Sequence, residues 1–372
     1  MPTSSISATR EHPGRLNLVG MSRLGLEAFF RDLDEKPYRA RQILGWLYQR
    51  GVLEFRDMTD ISQRLRKRLE FIACLDLPEV VREERSADGT RKWLLAVGLG
   101  QAVETVFIPE PGRSTLCISS QAGCAMDCSF CATGRQGFNR NLTAAEILSQ
   151  VLIARRALGA EAEITNVVFM GMGEPLANYR SVVPVAKLLV DDYAFGLSRR
   201  RVTISTAGLV PQIRKLADDL NVALAVSLHA PYDELRDQLV PINRRHPIAE
   251  LLDACWQYAE CLASRQVTFE YVMLRDVNDG LKDARRLGRL LRSKPAKVNL
   301  IPFNAFPGTP YECSSEEVIA AFCDELRSSG IVATIRRTRG DDIAAACGQL
   351  AGQVDDRTRS RLGSKLSRAV SP

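Results

Sequence analysis

The sequence lacks the marks of a membrane or secreted protein. No apolar run approaches the roughly 18–20 residues that a membrane-spanning helix needs, and the first twenty residues contain no apolar segment of the kind found in secretory signals. Both absences argue against a membrane protein and predict a cytoplasmic one. Thiols stay reduced in the cytoplasm, so the ten cysteines are not expected to form a disulfide framework.

Histidine is also scarce, which limits the metal sites that the chain can form. Cys124, Cys128 and Cys131 lie within the segment CAMDCSFC, but none of the three histidines is close to them in the sequence. A closed zinc site needs four ligands, and the sequence has no second CxxC pair to supply one. A zinc site would therefore need a distant fourth ligand, and a disulfide knot would need an oxidising compartment.

An iron–sulfur cluster fits the three cysteines better. Such clusters usually have four thiolate ligands, and the spacing CxxxCxxC leaves one iron without a protein ligand. An iron with an open position can chelate the amino and carboxylate groups of a small amino-acid-like molecule. The spacing therefore favours a cluster that binds a substrate over one that only stores electrons.

The formal net charge of +6 is modest, but basic clusters recur along the whole chain. They lie at residues 64–68, 199–201, 244–245, 285–297 and 336–339, and again near the C-terminus. Any single cluster is ordinary for a solvated surface. Their recurrence favours a polyanionic partner such as a nucleic acid.

The hydrophobic pattern divides the chain into two architectures. Residues 1–20 are predicted to be a disordered polar leader, and residues 21–100 a small helical domain with a β extension, in which Asp88 and Gly89 form a hairpin turn. From residue 101 to residue 350, strand-like and helix-like runs alternate in about six βα units, and residues 351–372 form a basic tail. Such alternation predicts an α/β fold with a parallel sheet and right-handed crossovers. Six units are too few for a closed eight-stranded barrel, so we expect an open, partial barrel.

Polar and glycine-rich turns follow the predicted strands. The cysteine loop follows the first strand, and GMGEP, STAG, SLHAP and PFNAF follow later ones. Because ligands bind at the carboxyl ends of parallel strands in barrels and in open sheets, these turns predict a common site. Turns between strands and helices are rich in Gly, Ser, Asn and Pro for local reasons as well, so one turn carries little weight and the five together carry more.

These motifs resemble those of a known family. CxxxCxxC on the loop after the first strand of a partial βα barrel is similar to the radical S-adenosylmethionine (SAM) superfamily. CISSQAGCAMDCSFCATGRQGFNRNL, GMGEPLANY, STAG, SLHA, LIPFN and TRGDDIAAACGQLAG resemble the RlmN/Cfr family of RNA methylases within it. The resemblance runs from about residue 38 to residue 350. It implies a radical SAM partial (β/α)6 barrel with an N-terminal RNA-binding accessory domain, one 4Fe-4S cluster, and two SAM molecules consumed per turnover.

The resemblance also implies which residues hold the cofactors. Cys124, Cys128 and Cys131 would hold the cluster, whose fourth iron binds the methionine end of SAM. The other residues that would contact SAM are Gly173, Glu174, Ser205, Ser227, Leu228, His229 and Asn304. For His229 the alternative is an ordinary buried histidine at a strand end.

Three further residues carry the reaction in the family. C2 of adenine lies between two ring nitrogens and is not a nucleophile, so direct methyl transfer from the SAM sulfonium should fail. By the resemblance, Cys347 takes a methyl group from one SAM, a 5′-deoxyadenosyl radical from a second SAM removes a hydrogen atom from it, and the carbon radical adds to C2. Glu104 would accept the C2 proton, and Cys117 would attack Cys347, which releases the RNA and leaves a disulfide. Without the resemblance, the sequence around these three residues indicates packing or surface positions.

The family contains two activities, methylation of adenine at C2 and at C8, and the motifs barely separate them. We expect the C2 reaction, on 23S rRNA in the peptidyl-transferase centre and on tRNA beside the anticodon, because it is the more widespread. An electron donor such as flavodoxin or ferredoxin and a monomeric state are expected with it. The alternative from another class is a metal-stabilised RNA-binding protein without catalysis.

Overall fold

The computed structural model describes residues 14–356. Its strands are β1 (Leu16–Asn17), β2 (Ala73–Cys74), β3 (Val80–Arg85), β4 (Arg91–Ala96), β5 (Ala102–Glu110), β6 (Arg113–Cys117), β7 (Gln121–Gly123), β8 (Phe138–Asn141), β9 (Asn166–Phe169), β10 (Val202–Thr206), β11 (Ala223–Ser227), β12 (Val267–Met273), β13 (Ala296–Pro302) and β14 (Val332–Ile335). Its α-helices are α1 (Arg23–Asp32), α2 (Arg39–Leu44), α3 (Gln63–Ile72), α4 (Ala132–Arg135), α5 (Ala144–Leu158), α6 (Tyr179–Val190), α7 (Val210–Asp219), α8 (Asp233–Leu239), α9 (Ile248–Glu260), α10 (Leu281–Leu291) and α11 (Glu316–Ser328). Within residues 14–356, none of the helices combines the length and hydrophobicity that a membrane span requires.

One ten-stranded sheet organises the fold, in the order β14-β13-β12-β11-β10-β9-β6-β5-β4-β3. The seven strands from β6 and β9 through β14 are parallel, and helical crossovers connect them in chain order. At the other end, β3, β4, β5 and β6 pair antiparallel. Because β14 and β3 stand at opposite ends of the order, the sheet is open. This architecture confirms the predicted partial barrel with six βα units.

Local signals in the sequence explain how several elements begin and turn. Helix α5 starts with a capping box: the Thr143 hydroxyl accepts the N–H of Glu146 at 3.2 Å, and the Glu146 carboxylate accepts the N–H of Thr143 at 2.8 Å. The hydroxyl of Ser62 caps α3 by accepting the N–H of Leu65. The predicted hairpin turn joins β3 to β4, with Gly89 at a φ of 85°.

The N-terminal helices and the barrel share one core. Leu47 and Tyr48 are fully buried, and the Tyr48 ring packs 5.0 Å from the ring of Phe195. The guanidinium of Arg155, on α5, donates to the carbonyls of Tyr48 and Gln49 at the end of the π-helical turn Gly45–Gln49. These contacts fix the helical domain against the outer face of the barrel.

The predicted leader is too long at its C-terminal end. Residues 1–13 lie outside the described residues, but Leu16–Asn17 pairs in parallel with Ala73–Cys74, and Leu18 and Val19 are buried. This short apolar segment lies among polar residues in the sequence, but in the structure it completes the core of the helical domain. The structured part of the chain therefore begins before residue 20.

Two other predicted boundaries also differ from the structure. The β extension, β3 and β4, was assigned with the helical domain, but it is hydrogen-bonded through β5 into the barrel sheet. The first residues of the predicted tail are bound as well, since Gln353 exchanges two backbone hydrogen bonds of 2.8 and 2.9 Å with Ala102. Both pairings join segments far apart in the sequence, which local patterns do not reveal. Residues 357–372 of the tail lie outside the described residues.

Candidate active site at the carboxyl ends of the parallel strands

The three cysteines of CxxxCxxC lie on the loop between β7 and α4. Cys124, Cys128 and Cys131 line one cavity of about 170 Å³ at the carboxyl ends of the parallel strands. The loop needs glycine before its first cysteine: Gly123 has a φ of 77°, and a Cβ there would lie 2.1 Å from the Gly137 carbonyl oxygen. The backbone N–H of Cys124 donates to that same oxygen at 2.7 Å.

The electrostatics of this loop suit a bound cation. Burial raises the pKa of all three thiols, and the charge of Cys131 raises the pKa of Cys124 and Cys128 further. Such thiols ionise when a metal binds, and binding then releases protons. Within residues 14–356, no group of three or more His, Cys, Asp or Glu side chains is placed to hold a single metal ion. In a cluster, by contrast, each cysteine binds a different iron atom, and three thiols that face one cavity fit that kind of group.

Glu174 connects two of the predicted turns. Its carboxylate accepts the N–H of Leu176 at 2.9 Å and the N–H of Ala207, in the STAG turn, at 2.7 Å. The preceding Gly173 has a φ of 99°, and a Cβ there would lie 2.5 Å from the Cβ of Gln121. A buried carboxylate is thereby fixed at the cavity wall, where it can bind an ammonium group.

Burial gives Glu174 a testable pH dependence. It raises the pKa of this carboxyl to about 7, although the N–H groups of Ala207 and Leu176 oppose the rise. Because the folded state holds the proton more tightly than the unfolded chain, the stabilisation is complete below about pH 4.5 and is lost as the pH rises through about 7. A shift of this size corresponds to a loss on the order of 3 kcal/mol.

We expect urea unfolding of the cofactor-free protein to show this loss relative to the Glu174→Gln variant. The free energy of unfolding of the native protein should fall, relative to that of the variant, between pH 5 and pH 8. A difference between the two proteins that stays the same at both pH values would contradict the assignment.

His229 is held in one protonation state. Its Nδ1 accepts the N–H of Val272 at 3.0 Å, its carbonyl accepts from the Asn278 side chain at 2.9 Å, and its ring meets that of Phe130 edge to face at 4.5 Å. Burial, and then the charge of Arg236, lower the pKa of His229 to about 3. The imidazole is therefore neutral, with its proton on Nε2.

A buried arginine outside every sequence motif holds the strand ends together. The Arg236 guanidinium, on α8, donates to the carbonyls of Ala207 at 2.7 Å, Ser227 at 2.9 Å and Leu228 at 3.1 Å. Burial lowers its pKa to about 10, so it remains a cation. It positions the STAG and SLH turns, and no local pattern in the sequence distinguishes it from a surface arginine.

Most of the predicted cofactor residues line the cavity, but two do not. Gly173, Glu174, Ser205, Ser227 and His229 face it together with the cysteines. The side chain of Leu228 is instead fully buried in the hydrophobic core. Asn304 lines a second cavity, where its side-chain amide donates to the Cys347 carbonyl at 3.2 Å.

Cys117 and Cys347, far apart in the sequence, lie near enough in the fold for the charge of one to affect the pKa of the other. Cys117 ends β6 and is buried, and Cys347 lies on a loop after β14 at the wall of the cavity. Burial, and then the charge of Cys347, raise the pKa of Cys117 to about 12, while the nearby Arg336 cation opposes the rise. Both thiols are free.

Glu104 lies behind the Cys347 loop. It is 5% exposed, its carboxylate accepts the N–H of Ala351 at 2.8 Å, and Lys92 lies 3.2 Å away. The structure thus places Glu104 near the loop but already engaged by two partners. Lys92, like Arg236, was not selected from the sequence.

A second, larger cavity of about 470 Å³ opens on the other side of Cys347, along the inner face of the barrel. Cys347, Arg336, Glu270, Met170 and Ile301 line both cavities. The larger one has a basic wall, since its charged lining residues are Arg113, Arg200, Lys297, Arg336, Arg337, Arg339, Glu110 and Glu270. Cys347 therefore stands between a cavity lined with thiols and a cavity suited to an anionic ligand.

Comparisons with known proteins agree with this geometry. Residues 16–75 match the family model "Ribosomal RNA large subunit methyltransferase N-terminal domain", and residues 118–287 match "Radical SAM superfamily". The chain is 56% identical over 345 residues, 92% of its length and 96% of the relative, to the dual-specificity RNA methyltransferase RlmN of Alkalilimnicola ehrlichii. It is also similar to the crystal structure of a radical SAM methyltransferase from Sphaerobacter thermophilus, with 45% identity, a TM-score of 0.84, and coverage of 90% of this chain and 99% of that one.

These matches favour the C2-methylating branch over the C8 branch and over a non-catalytic binding protein, and they confirm the family that the motifs predicted. Membership implies a 4Fe-4S cluster and SAM as cofactors. The chain belongs to the RlmN family of radical SAM RNA methyltransferases.

Proposed function

We propose that this protein methylates C2 of an adenine in 23S rRNA and of an adenine beside the anticodon of tRNA, and that the methyl group passes through Cys347. One observation carries the proposal. Cys347 lies between the thiol-lined cavity and the basic cavity, and its charge raises the pKa of the second thiol, Cys117. A carrier between a methyl donor and an RNA base needs this placement.

Cys124, Cys128 and Cys131 hold the cluster in this proposal, and the carboxylate of Glu174 holds the SAM ammonium group. Ser205, Ser227 and His229 contact the remainder of SAM. Leu228 can contact SAM only through its backbone, because its side chain is buried in the core. Asn304 can contact it only from the side that faces Cys347. When bound, the cluster and SAM supply a 5′-deoxyadenosyl radical. The chain's part is to hold the reacting groups in one cavity and exclude water from it.

Cys347 acts as the nucleophile in the first step. Its thiolate attacks the methyl carbon of SAM, and the carbon–sulfur bond of SAM breaks with its electron pair staying on SAM. The S-methyl group of Cys347 would then give a hydrogen atom to the radical that the cluster and a second SAM would supply, and its carbon would bond to C2 of adenine. RNA and protein are covalently joined at this stage.

Two residues release the product. Glu104 accepts the C2 proton, which requires its carboxylate to release the Ala351 N–H. The one electron that the adduct must lose passes to the oxidised form of the flavodoxin- or ferredoxin-type partner that supplies the electron for SAM cleavage. The Cys117 thiolate attacks the Cys347 sulfur, the sulfur–carbon bond breaks, and the carbon takes a proton to become the methyl group. The new disulfide between Cys117 and Cys347 takes two electrons from a thiol reductant before the next turnover.

The basic wall of the larger cavity supports RNA as the substrate. A base must leave its stack before C2 can reach Cys347, and the six cations at the wall suit the phosphates that flank it. The electron for SAM cleavage comes from a donor of the flavodoxin or ferredoxin type, and the protein acts as a monomer.

Mass spectrometry of the RNA product tests the proposal. The reconstituted, reduced protein should convert adenosine in 23S rRNA fragments and in tRNA to 2-methyladenosine. The C8 alternative predicts 8-methyladenosine instead, and finding that product alone would overturn the proposal. A colourless, zinc-containing protein that forms no 5′-deoxyadenosine would favour the binding protein without catalysis.

A further inference from the structure

The segment that carries Cys347, residues 339–356, is docked on the antiparallel strands β3, β4 and β5. At its start, the N–H of Gly340 donates to the Asp88 carboxylate at 3.1 Å. Toward its end, Ala351 donates to Glu104 at 2.8 Å, and Gln353 pairs with Ala102. The antiparallel extension therefore provides the surface on which the Cys347 segment is held.

Lys92 lies at the centre of this surface. Its side chain is 5% exposed, and its ammonium lies 3.2 Å from the Glu104 carboxylate and 3.2 Å from that of Glu84. The same ammonium donates to the carbonyl oxygens of Ile343 and Ala344, four and three residues before Cys347. One buried cation thus connects the proposed proton acceptor to the backbone that carries the methyl-accepting thiol.

The backbone that Lys92 binds has an unusual conformation. Ala344 has a φ of 48° and a ψ of 46°, in the left-handed region that disfavours residues with a Cβ. Such a conformation persists where its surroundings determine it. The ammonium binds the carbonyls on both sides of Ala344 and so stabilises this turn from outside. Within the turn, the N–H of Ala344 donates to Asp341 at 3.1 Å and that of Ala345 to Gly340 at 2.8 Å.

The other side of the segment contacts the cluster loop. The carbonyl of Gly348 accepts the N–H of Ala132 at 2.8 Å, and that of Leu350 accepts from the Thr133 hydroxyl at 2.6 Å. Ala132 directly follows Cys131 in the chain. A displacement of the segment at Lys92 would therefore alter where the Cys347 sulfur stands relative to the cluster cavity.

We propose that Lys92 is a positioning residue for Cys347: it fixes the turn at Ile343 and Ala344, so that the thiol stands at the cavity wall. The proposal rests on the proposed role of Cys347 as the methyl carrier. Catalysis depends on such placement, because a displacement of about 1 Å can lower a rate by about 100-fold.

Lys92→Met tests this, with Arg91→Met as its matched control. Arg91 is the neighbouring buried cation on β4, with a side chain 7% exposed, and it pairs with Glu83 at 2.7 Å on the face away from the Cys347 segment. Both variants lose a buried ion pair, so both should lose thermal stability. The methylated fraction of Cys347, measured by peptide mass spectrometry after one incubation with SAM, should form about 100-fold more slowly in Lys92→Met and at the native rate in Arg91→Met.

A second measurement on the same variants needs no cofactor. In the cofactor-free protein, amide hydrogen exchange of residues 343–351 and iodoacetamide labelling of Cys347 should accelerate in Lys92→Met and stay native in Arg91→Met. Lys92→Arg, which keeps the cation, should restore part of the methylation rate. Should Lys92→Met fail to fold, Lys92→Met/Glu104→Gln removes the carboxylate left unpaired, and Cys347 methylation precedes the step assigned to Glu104.

The outcomes separate the two proposals. If Lys92→Met methylates Cys347 at the native rate, or Arg91→Met slows it equally, Lys92 is a structural residue and the inference is wrong. If the native protein itself never methylates Cys347, the proposed function fails. In that case unchanged exchange and labelling in Lys92→Met would also refute the positioning role, and accelerated ones would sustain it.

Discussion

Cys347→Ala is expected to abolish RNA methylation and to leave radical formation intact. The variant has no thiolate to accept the first methyl group, whereas Cys124, Cys128, Cys131 and Glu174 remain at the cavity. The reduced protein should therefore still cleave SAM to 5′-deoxyadenosine but form neither methyladenosine nor a covalent RNA adduct. Chromatography of nucleosides and SAM products measures both.

Cys313→Ala is the matched control for this variant. Cys313 is another half-buried free thiol in the C-terminal third of the chain, where it packs against the hydrophobic core rather than at the cavity wall. Its replacement should leave methylation at the native rate. Methyladenosine formed by Cys347→Ala would show that the methyl group does not pass through this residue.

Cys117→Ala is expected to stop the reaction at a later step, after the protein–RNA adduct has formed. The variant should still methylate Cys347 and join it to the adenine, because those steps use the other thiol and the two cavities. Release needs a second thiolate, so a covalent protein–RNA adduct should accumulate and be visible as a shifted band on a denaturing gel. Turnover at the native rate, or the absence of any adduct, would remove Cys117 from the role of resolving thiol.

The surroundings of Cys117 also affect the stage of the reaction at which its thiol ionises. Burial and the charge of Cys347 raise its pKa to about 12, while Arg336 opposes them. Once Cys347 carries the methyl group its sulfur has no negative charge, and only burial and Arg336 remain of these three influences. In the proposed mechanism, alkylation of Cys347 would remove the influence of its charge and lower the pKa of Cys117, which would favour attack of Cys117 on the adduct.

The fold followed closely from the sequence, because each signal was local. The alternation of strands and helices and the hairpin at Gly89 depend on neighbouring residues, and the structure confirms both. The boundaries at residues 20 and 350 were wrong for the opposite reason. Leu16–Asn17 and Gln353 pair with strands that lie far away in the chain.

Prediction of the candidate site shows the same contrast between local and long-range signals. The three cysteines and the turns at Glu174 and Ser205 were found from spacing and position in βα units, because parallel strands place their carboxyl ends at one edge. Arg236 and Lys92 were missed, since their roles depend on backbone carbonyls of distant segments that present no signal in the sequence. The pairing of Cys117 with Cys347 comes from family resemblance and stays a prediction, which the influence of the Cys347 charge on the pKa of Cys117 supports.

The most direct test of the account follows one methyl group through the protein. The native protein is first incubated with reductant and SAM that carries a trideuterated methyl group, then freed of SAM and given unlabelled SAM and RNA. If the methyl group passes through Cys347, the methyladenosine of the first turnover should carry two deuterium atoms from the first SAM, because the third leaves in 5′-deoxyadenosine. First-turnover product that carries no deuterium would contradict the passage of the methyl group through Cys347.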